Sequence, residues 1–157
     1  MTTQTVRLET EYLMTLYAAM DPPQQIDDTF LILNIPSGWA KGPKINATII
    51  APAGDWISIL PNGSGRIDVR FTLKTEDAAL IYVAYNGVIR HTPEARERLL
   101  KGELITSNDG YYGMNAPTFR TSHANYAWLN AVQAVAKVFE LKLGEGSFIK
   151  CDVFAIK

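Results

Sequence analysis

The chain has 157 residues, 47% of them hydrophobic and 20% charged, which is the composition of an ordinary globular domain with a sizeable core. Fifteen basic and sixteen acidic residues give a net charge of −1, which does not favour binding to nucleic acid or to an anionic membrane. The sequence shows no basic segment followed by an apolar run at its start, and no apolar stretch of the roughly 20 residues that span a bilayer. We therefore predict a single domain over residues 1–157 in a cytoplasmic protein.

The first half of the chain reads as a series of short strands separated by turn residues. Each segment is rich in β-branched or aromatic residues and ends at a cluster containing proline, glycine or aspartate. The predicted strands are Leu8–Tyr17, Thr29–Ile35, Ile45–Ala51 and Trp56–Leu60.

The clearest pattern is a hairpin between Arg66 and Arg90. Its first strand, 66–74, alternates strictly between apolar and polar residues, and its second strand, 79–90, is β-branched and aromatic. Turn residues at 75–77 connect the two, so the strands must pair antiparallel.

The second half contains one convincing helix, over His91–Gly102. Thr92 suits the N-cap, Pro93 suits the first helical position, and Gly102 can end the helix in a left-handed conformation. Thr106–Thr121 has the composition of a loop, although it carries several aromatic residues. The remaining predicted strands are Tyr126–Val138, for which the alanines also allow a helix, its continuation Phe139–Leu143, and Phe148–Ile156.

About eight to nine strands and one short helix, with turns every 8–12 residues, predict an all-β antiparallel fold, either a sandwich or a barrel. We expect a barrel, because closure removes exposed strand edges, and about eight strands leave room for packed side chains or one small ligand.

Several short motifs, taken in order and spacing, resemble the DUF3237 family, also called UPF0311, whose members are small β-barrel proteins mostly of unassigned function. The motifs cover the chain from about Ile26 to Asn130. They are Lys41-Gly42-Pro43-Lys44-Ile45, Gly54-Asp55-Trp56, Asp68 to Leu73, Thr75-Glu76-Asp77, Ala79 to Val83, Asn86-Gly87, Pro117 to Thr121 and Tyr126 to Asn130. The resemblance implies a lipocalin-like or allene-oxide-cyclase-like barrel.

The sequence departs from this family pattern at several points. Asp77-Ala78 replaces an Asp-Gly turn, so a positive φ there would be less comfortable, and Asn46 stands where glycine is common. The segment from Ala131 onward is richer in alanine than the pattern. The fold can still be inferred despite these changes. The activity of an individual family member cannot be assigned to this chain, because one fold hosts many functions.

Asp68 and Arg70 lie two residues apart on one strand and can therefore pair on the same face. On the outside of the barrel they would form a solvated ion pair of little energetic value. Inside it they would form a desolvated pair of the kind found in functional sites. The alternation, with Ile67, Val69 and Phe71 as a natural core face, favours the outside. The family resemblance favours a site.

A second candidate is an aromatic wall made by Tyr126, Trp128 and Asn130, which would suit an uncharged aromatic or polycyclic ligand. The alternative is an aromatic core cluster in which the backbone satisfies Asn130. The further candidates for binding a ligand or closing over it are Trp56, Tyr82, Tyr112 and Phe119.

The sequence gives little support for a metal site, a nucleotide cofactor or a reactive cysteine. His91 and His123 lie far apart and are predicted to be exposed loop residues, and no cysteine cluster or nucleotide-binding motif is present, so we expect no metal and no cofactor. Cys151 is expected to be a core thiol, and Asp55 is expected to be a turn residue bonded to its own backbone.

If these groups converge, they support cofactor-independent acid–base catalysis by an isomerase, cyclase or lyase on a carbonyl-bearing or phenolic metabolite. Asp68 would be the base, Arg70 would stabilise enolate charge, and Tyr112 or Tyr82 would donate the proton. The rival hypotheses are a non-catalytic carrier or sensor of small molecules and an interaction module with a filled barrel. The expected partner is a small apolar or aromatic ligand, and a homodimer is possible.

Overall fold

Strands and two short helices make up most of the computed structural model, which describes residues 4–157. The helices are α1 (Pro93–Leu100) and a 3-10 helix, η1 (Ala124–Ala131). The strands are β1 (Thr10–Ala19), β2 (Gln24–Asp27), β3 (Phe30–Asn34), β4 (Gly38–Gly42), β5 (Ile45–Ile59), β6 (Gly65–Thr75), β7 (Leu80–His91), β8 (Ile105–Thr106), β9 (Tyr111–Asn115), β10 (Thr118–Arg120), β11 (Ala134–Lys142) and β12 (Phe148–Ile156).

Eight of these strands close into an antiparallel barrel. The order around the barrel is β1, β4, β5, β6, β7, β9, β11 and β12, and β12 pairs again with β1. The prediction of an all-β antiparallel barrel is confirmed. Among residues 4–157, neither helix is long and apolar enough to cross a membrane.

The inner wall is built by alternation. On β6, Ile67, Val69, Phe71 and Leu73 are all buried, whereas the intervening residues are partly or fully exposed. The pattern predicted from the sequence for this strand is therefore confirmed, with its apolar face inside the barrel.

Strand β5 is longer than the sequence suggests, because the two strands predicted on either side of Pro52 are one strand. Its register against β6 slips between Ile50 and Gly54. The first half of β5 pairs with β4, and the second half pairs instead with β3. The hairpin of β2 and β3 therefore lies beside the second half of β5.

One end of the barrel, here called the α1 end, carries α1, the β2–β3 hairpin and the β5–β6 turn. The Thr92 hydroxyl accepts a hydrogen bond from the Ala95 backbone N–H at 3.1 Å, and Gly102 has φ +77°, as predicted for the two helix ends. Ala95 and Leu99 are buried against the barrel. The helix thus covers part of this end.

The other end, here called the η1 end, is covered by η1, whose Leu129 is fully buried. The predicted strand Tyr126–Val138 is wrong over its first part, since η1 runs to Ala131 and β11 begins only at Ala134. Long-range bonds explain the helix: the Asp77 carboxylate accepts from Asn125 Nδ2 at 3.2 Å and from the Tyr126 hydroxyl at 2.9 Å.

Two further sequence features have clear structural outcomes. The predicted loop Thr106–Thr121 contains the barrel strand β9 and the short strand β10, so that prediction is wrong for residues 111–115 and 118–120. Ala78 has φ +64°, the left-handed conformation in which the family pattern places glycine.

Candidate functional site

Asp68 and Arg70 lie on the outer face of β6, so the hypothesis that they line the lumen is wrong. Their ion pair joins Arg70 Nε to Asp68 Oδ1 at 3.4 Å, with the side chains 59% and 41% exposed respectively. The physical reason is the strand period: Val69, the residue between them, faces inward and is buried, so both neighbours must face outward.

The proposed proton donors and Trp56 also lie on the outside. Tyr82, Tyr112 and Trp56 are exposed. Tyr82 borders a shallow surface depression of about 430 Å³, and the Tyr112 ring packs against the Arg90 guanidinium at 3.8 Å. None of the three therefore lines the lumen of the barrel.

The predicted aromatic wall does not form either. The Asn130 side chain makes two 2.8 Å hydrogen bonds to the Thr121 backbone, so the alternative in which backbone satisfies this amide is the correct one. Tyr126 bonds to Asp77, and Phe119 is buried in the core. Trp128 lines an indentation of about 220 Å³ at the η1 end, where Lys44 Nζ lies 5.3 Å from its ring.

A different set of polar side chains lies inside the barrel, and Asp55 is the first of them. It pairs with Val69 on β6, and Val69 pairs with Tyr85 on β7, so all three belong to the inner wall. Asp55 is half-buried and is not the turn residue expected from the sequence, because it lies within β5. Its place on the inner wall was not predicted from the sequence.

The environment of the Asp55 carboxyl disfavours its charged form. Burial raises its pKa from 3.8 to about 7. The hydrogen bond that its Oδ1 accepts from the Asp68 backbone N–H at 3.3 Å opposes this rise, and the nearby Asp68 charge adds to it. A carboxyl in this state exchanges protons near neutral pH, as a general acid or base requires.

Two tyrosines lie near this carboxyl on the inner wall, and the cysteine lies near both tyrosines. Burial raises the pKa of Tyr85 and of Tyr111 well above the usual value, and the charge of Asp55 contributes to both rises. Burial also raises the pKa of the Cys151 thiol to about 12, so it is a core thiol as predicted. Both phenols therefore stay protonated and can donate hydrogen bonds to an oxygen of a ligand.

Aliphatic side chains form a partly exposed rim around the α1 end. They pack against the buried core, and part of their surface stays accessible. The rim residues are Leu31, Leu33, Ile59, Ile89, Leu143 and Ile149. A carboxyl and two phenols beneath an apolar rim resemble the usual layout of a small-molecule site.

One signal in the sequence could have identified Asp55. Ile57 and Ile59 alternate with Trp56 and Ser58, and extending this alternation back by one step places Asp55 on the inward face. The described residues, 4–157, hold no group of three or more His, Cys, Asp or Glu side chains that could bind a metal ion.

Comparison with known proteins identifies the family. The profile of DUF3237, described as a protein of unknown function, matches residues 8–156. The chain belongs to this family. A UPF0311 protein from Rhodopseudomonas palustris is 28% identical over 129 residues, covering 80% of this chain and 84% of the relative. One from Clostridium acetobutylicum is 29% identical over 98 residues, covering 62% and 61%.

Solved structures of other proteins have a similar fold. The R. palustris protein, of unknown function, has a TM-score of 0.85 at 25% identity and covers 98% of this chain and 100% of its own. A β-barrel-like protein from Acinetobacter baumannii has a TM-score of 0.79 at 25% identity, covering 99% and 100%. An enzyme from Penicillium herquei has a TM-score of 0.70 at 19% identity over both complete chains, which shows the fold alone.

Proposed function

We propose that this DUF3237 protein is a cofactor-independent acid–base catalyst, an isomerase, cyclase or lyase, acting on a small apolar or aromatic carbonyl-bearing metabolite in the α1 end of the barrel. The observation that carries the proposal is the Asp55 carboxyl, held on an apolar inner wall beside Tyr85 and Tyr111. That one structural neighbour is described as an enzyme is consistent with catalysis on this fold.

In this proposal Asp55 is the base that removes a proton next to the substrate carbonyl. Tyr85 and Tyr111 donate hydrogen bonds to the oxygen on which enolate charge develops. The apolar rim excludes water, which strengthens these interactions. Asp55, as carboxylic acid, then returns the proton to a different carbon or to the departing group, so no external acid is consumed.

The test is exchange of the α-protons of 1-indanone in D₂O, followed by proton NMR. This ketone is small, aromatic and carbonyl-bearing, and exchange needs only removal of a proton and return of a deuteron. We expect exchange above the buffer rate, rising with pH through about 7 because the base is the ionised form of Asp55. Asp55→Asn should lower the enzymatic rate roughly 100-fold or more.

Asp68→Asn is the matched control on the outer face: it removes only the smaller contribution that the Asp68 charge makes to the Asp55 pKa, so exchange should persist with its pH midpoint shifted slightly downward. Equal rates for Asp55→Asn and the unmodified protein would overturn the proposal. Binding of 1-indanone without exchange would support the second candidate, a non-catalytic carrier, which the partly exposed aliphatic rim favours because a carrier needs apolar walls without a base.

A further inference from the structure

Asn115 is a polar side chain inside the barrel that the sites described above do not use. On β9, Tyr111 and Asn115 are buried and the Tyr112 side chain between them is exposed, which places Asn115 on the inner wall with 6% of its surface accessible. It pairs with Gly87 on β7 and with Ala136 on β11.

Strand β7 has a glycine, Gly87, directly opposite Asn115, and this glycine leaves room for the Asn115 side chain. A Cβ atom at Gly87 would lie 2.3 Å from the Met114 carbonyl oxygen and 2.7 Å from Asn115 Cβ, so only glycine allows β9 to approach so closely. Gly87 lies two residues from Tyr85 on the same face of β7, which makes Asn115 a diagonal neighbour of Tyr85 at roughly 7–8 Å between Cα atoms.

The Asn115 amide oxygen is fully buried and has no hydrogen-bond partner among the residues that the structure describes. Its strand neighbours offer none, because Ala136 and the adjoining Val153 are fully buried and apolar. A buried acceptor without a donor is costly, and native proteins retain such groups where something else satisfies them.

We propose that Asn115 Oδ1 anchors the ligand of the barrel by accepting a hydrogen bond from a hydroxyl group, so that the ligand is an uncharged phenol, enol or alcohol. The inference rests on the proposed lumenal site and specifies the class of compound that it takes. The buried polar side chains among residues 4–157 are Thr75 and Asn115, so an anionic ligand would find no buried cation to pair with.

The test compares two probes, 4-ethylphenol and 4-ethylanisole, which differ by methylation of the hydroxyl. We expect the unmodified protein to bind the phenol up to about tenfold more tightly, since a buried hydrogen bond contributes ~0.5–1.5 kcal/mol. Binding is followed by ¹H–¹⁵N NMR, in which the Asn115 side-chain amide signals should shift with the phenol and not with the anisole.

Asn115→Leu, which has the same branched shape, should remove the preference while raising the melting temperature of the ligand-free protein, because it eliminates the unsatisfied oxygen. Asn86→Leu is the matched control on the outer face of β7, and it should keep the preference. If Asn115→Leu does not fold, Asn115→Ala, which also lacks a side-chain acceptor, is used for the same comparison, and the NMR shifts of the unmodified protein test the contact without either variant.

Three results would overturn the inference: equal affinity for the two probes, an unchanged preference in Asn115→Leu, or no binding of the phenol. Exchange of 1-indanone separates these outcomes from failure of the proposed function. If Asp55-dependent exchange persists while the probes are not distinguished, the hydroxyl anchor alone is wrong. If exchange and probe binding are both absent, the lumenal site itself is wrong.

Discussion

Asp55 and Asp68 are neighbours on adjacent strands, joined by a hydrogen bond from the Asp68 backbone to the Asp55 carboxyl, yet they lie on opposite faces of the barrel wall. Asp68 pairs with Arg70 in solvent. Asp55 lies on the inner wall, where burial raises its pKa to about 7. Two aspartates thus differ in their chemistry because the strand alternation places one on the inner face and the other on the outer face.

The comparison teaches that residue type and motif membership do not by themselves locate a site. Both aspartates fall within segments that resemble the family pattern, and Asp68 has the more suggestive partner. What separates them is desolvation, which acts only on the inner face. Three experiments, on β6 or on the residue that pairs with it, test how strongly the two faces differ.

The largest expected effect is on the inner face of β6, at Phe71. This side chain is 2% exposed and contacts the Tyr85 ring edge-to-face with centroids 6.0 Å apart. Phe71→Ala should lower the free energy of unfolding by about 3–5 kcal/mol, measured by urea denaturation, because it leaves a cavity in the core. Lys74→Ala, exposed on the outer face of the same strand, is the control and should change it by less than about 0.5 kcal/mol. Similar losses for both would contradict the inner-and-outer assignment.

The next effect is the pH dependence of stability at Asp55. Its folded-state pKa, about 7, lies above the ordinary 3.8, so the folded protein holds a proton that the unfolded chain releases, and stability falls as pH rises between these values. Asp55→Asn should therefore be more stable than the unmodified protein at about pH 9, by about 2 kcal/mol after allowing for partial solvent screening, and nearly equal at about pH 3.

Urea denaturation across this pH range measures the difference, and Asp68→Asn serves as the outer-face control. A constant difference between Asp55→Asn and the unmodified protein at all pH values would show that the carboxyl is not desolvated. The acid–base proposal would then lose its physical basis.

The barrel could be predicted from the sequence because several of its strands show a local alternation of apolar and polar residues. The alternation of Ile67 to Leu73 gave both the strand and its inner face, and Thr92, Pro93 and Gly102 gave the bounds of α1 to within a few residues. Followed consistently, that same alternation also places Asp68 and Arg70 outside. The hypothesis that Asp68 and Arg70 line the lumen came from their place in the family motif, but a motif does not indicate the direction in which a side chain points.

The remaining errors have two physical causes. Strand β9 carries Gly113 and Asn115 at inward positions, so it lacks an apolar period, and only its pairing with β7 and β11 makes it a strand. The helix η1 depends on Asp77, roughly fifty residues away, whose bonds to Asn125 and Tyr126 no local pattern reveals. Asp55 follows the register slip in β5, so the alternation of the first half of the strand does not extend to it, and only the alternation of Ile57 and Ile59 after it indicates its face.

The smallest expected effect concerns the outer ion pair of Asp68 and Arg70. Both side chains are well exposed, and their 3.4 Å contact is longer than a strong charge-assisted bond, so salt and water should screen it. A double-mutant cycle with Asp68→Ala and Arg70→Ala should give a coupling free energy below about 1 kcal/mol that diminishes as salt is added. A larger coupling that resists salt would mean that the pair is shielded in solution, which would place the two aspartates in more similar environments than the barrel geometry assigns them.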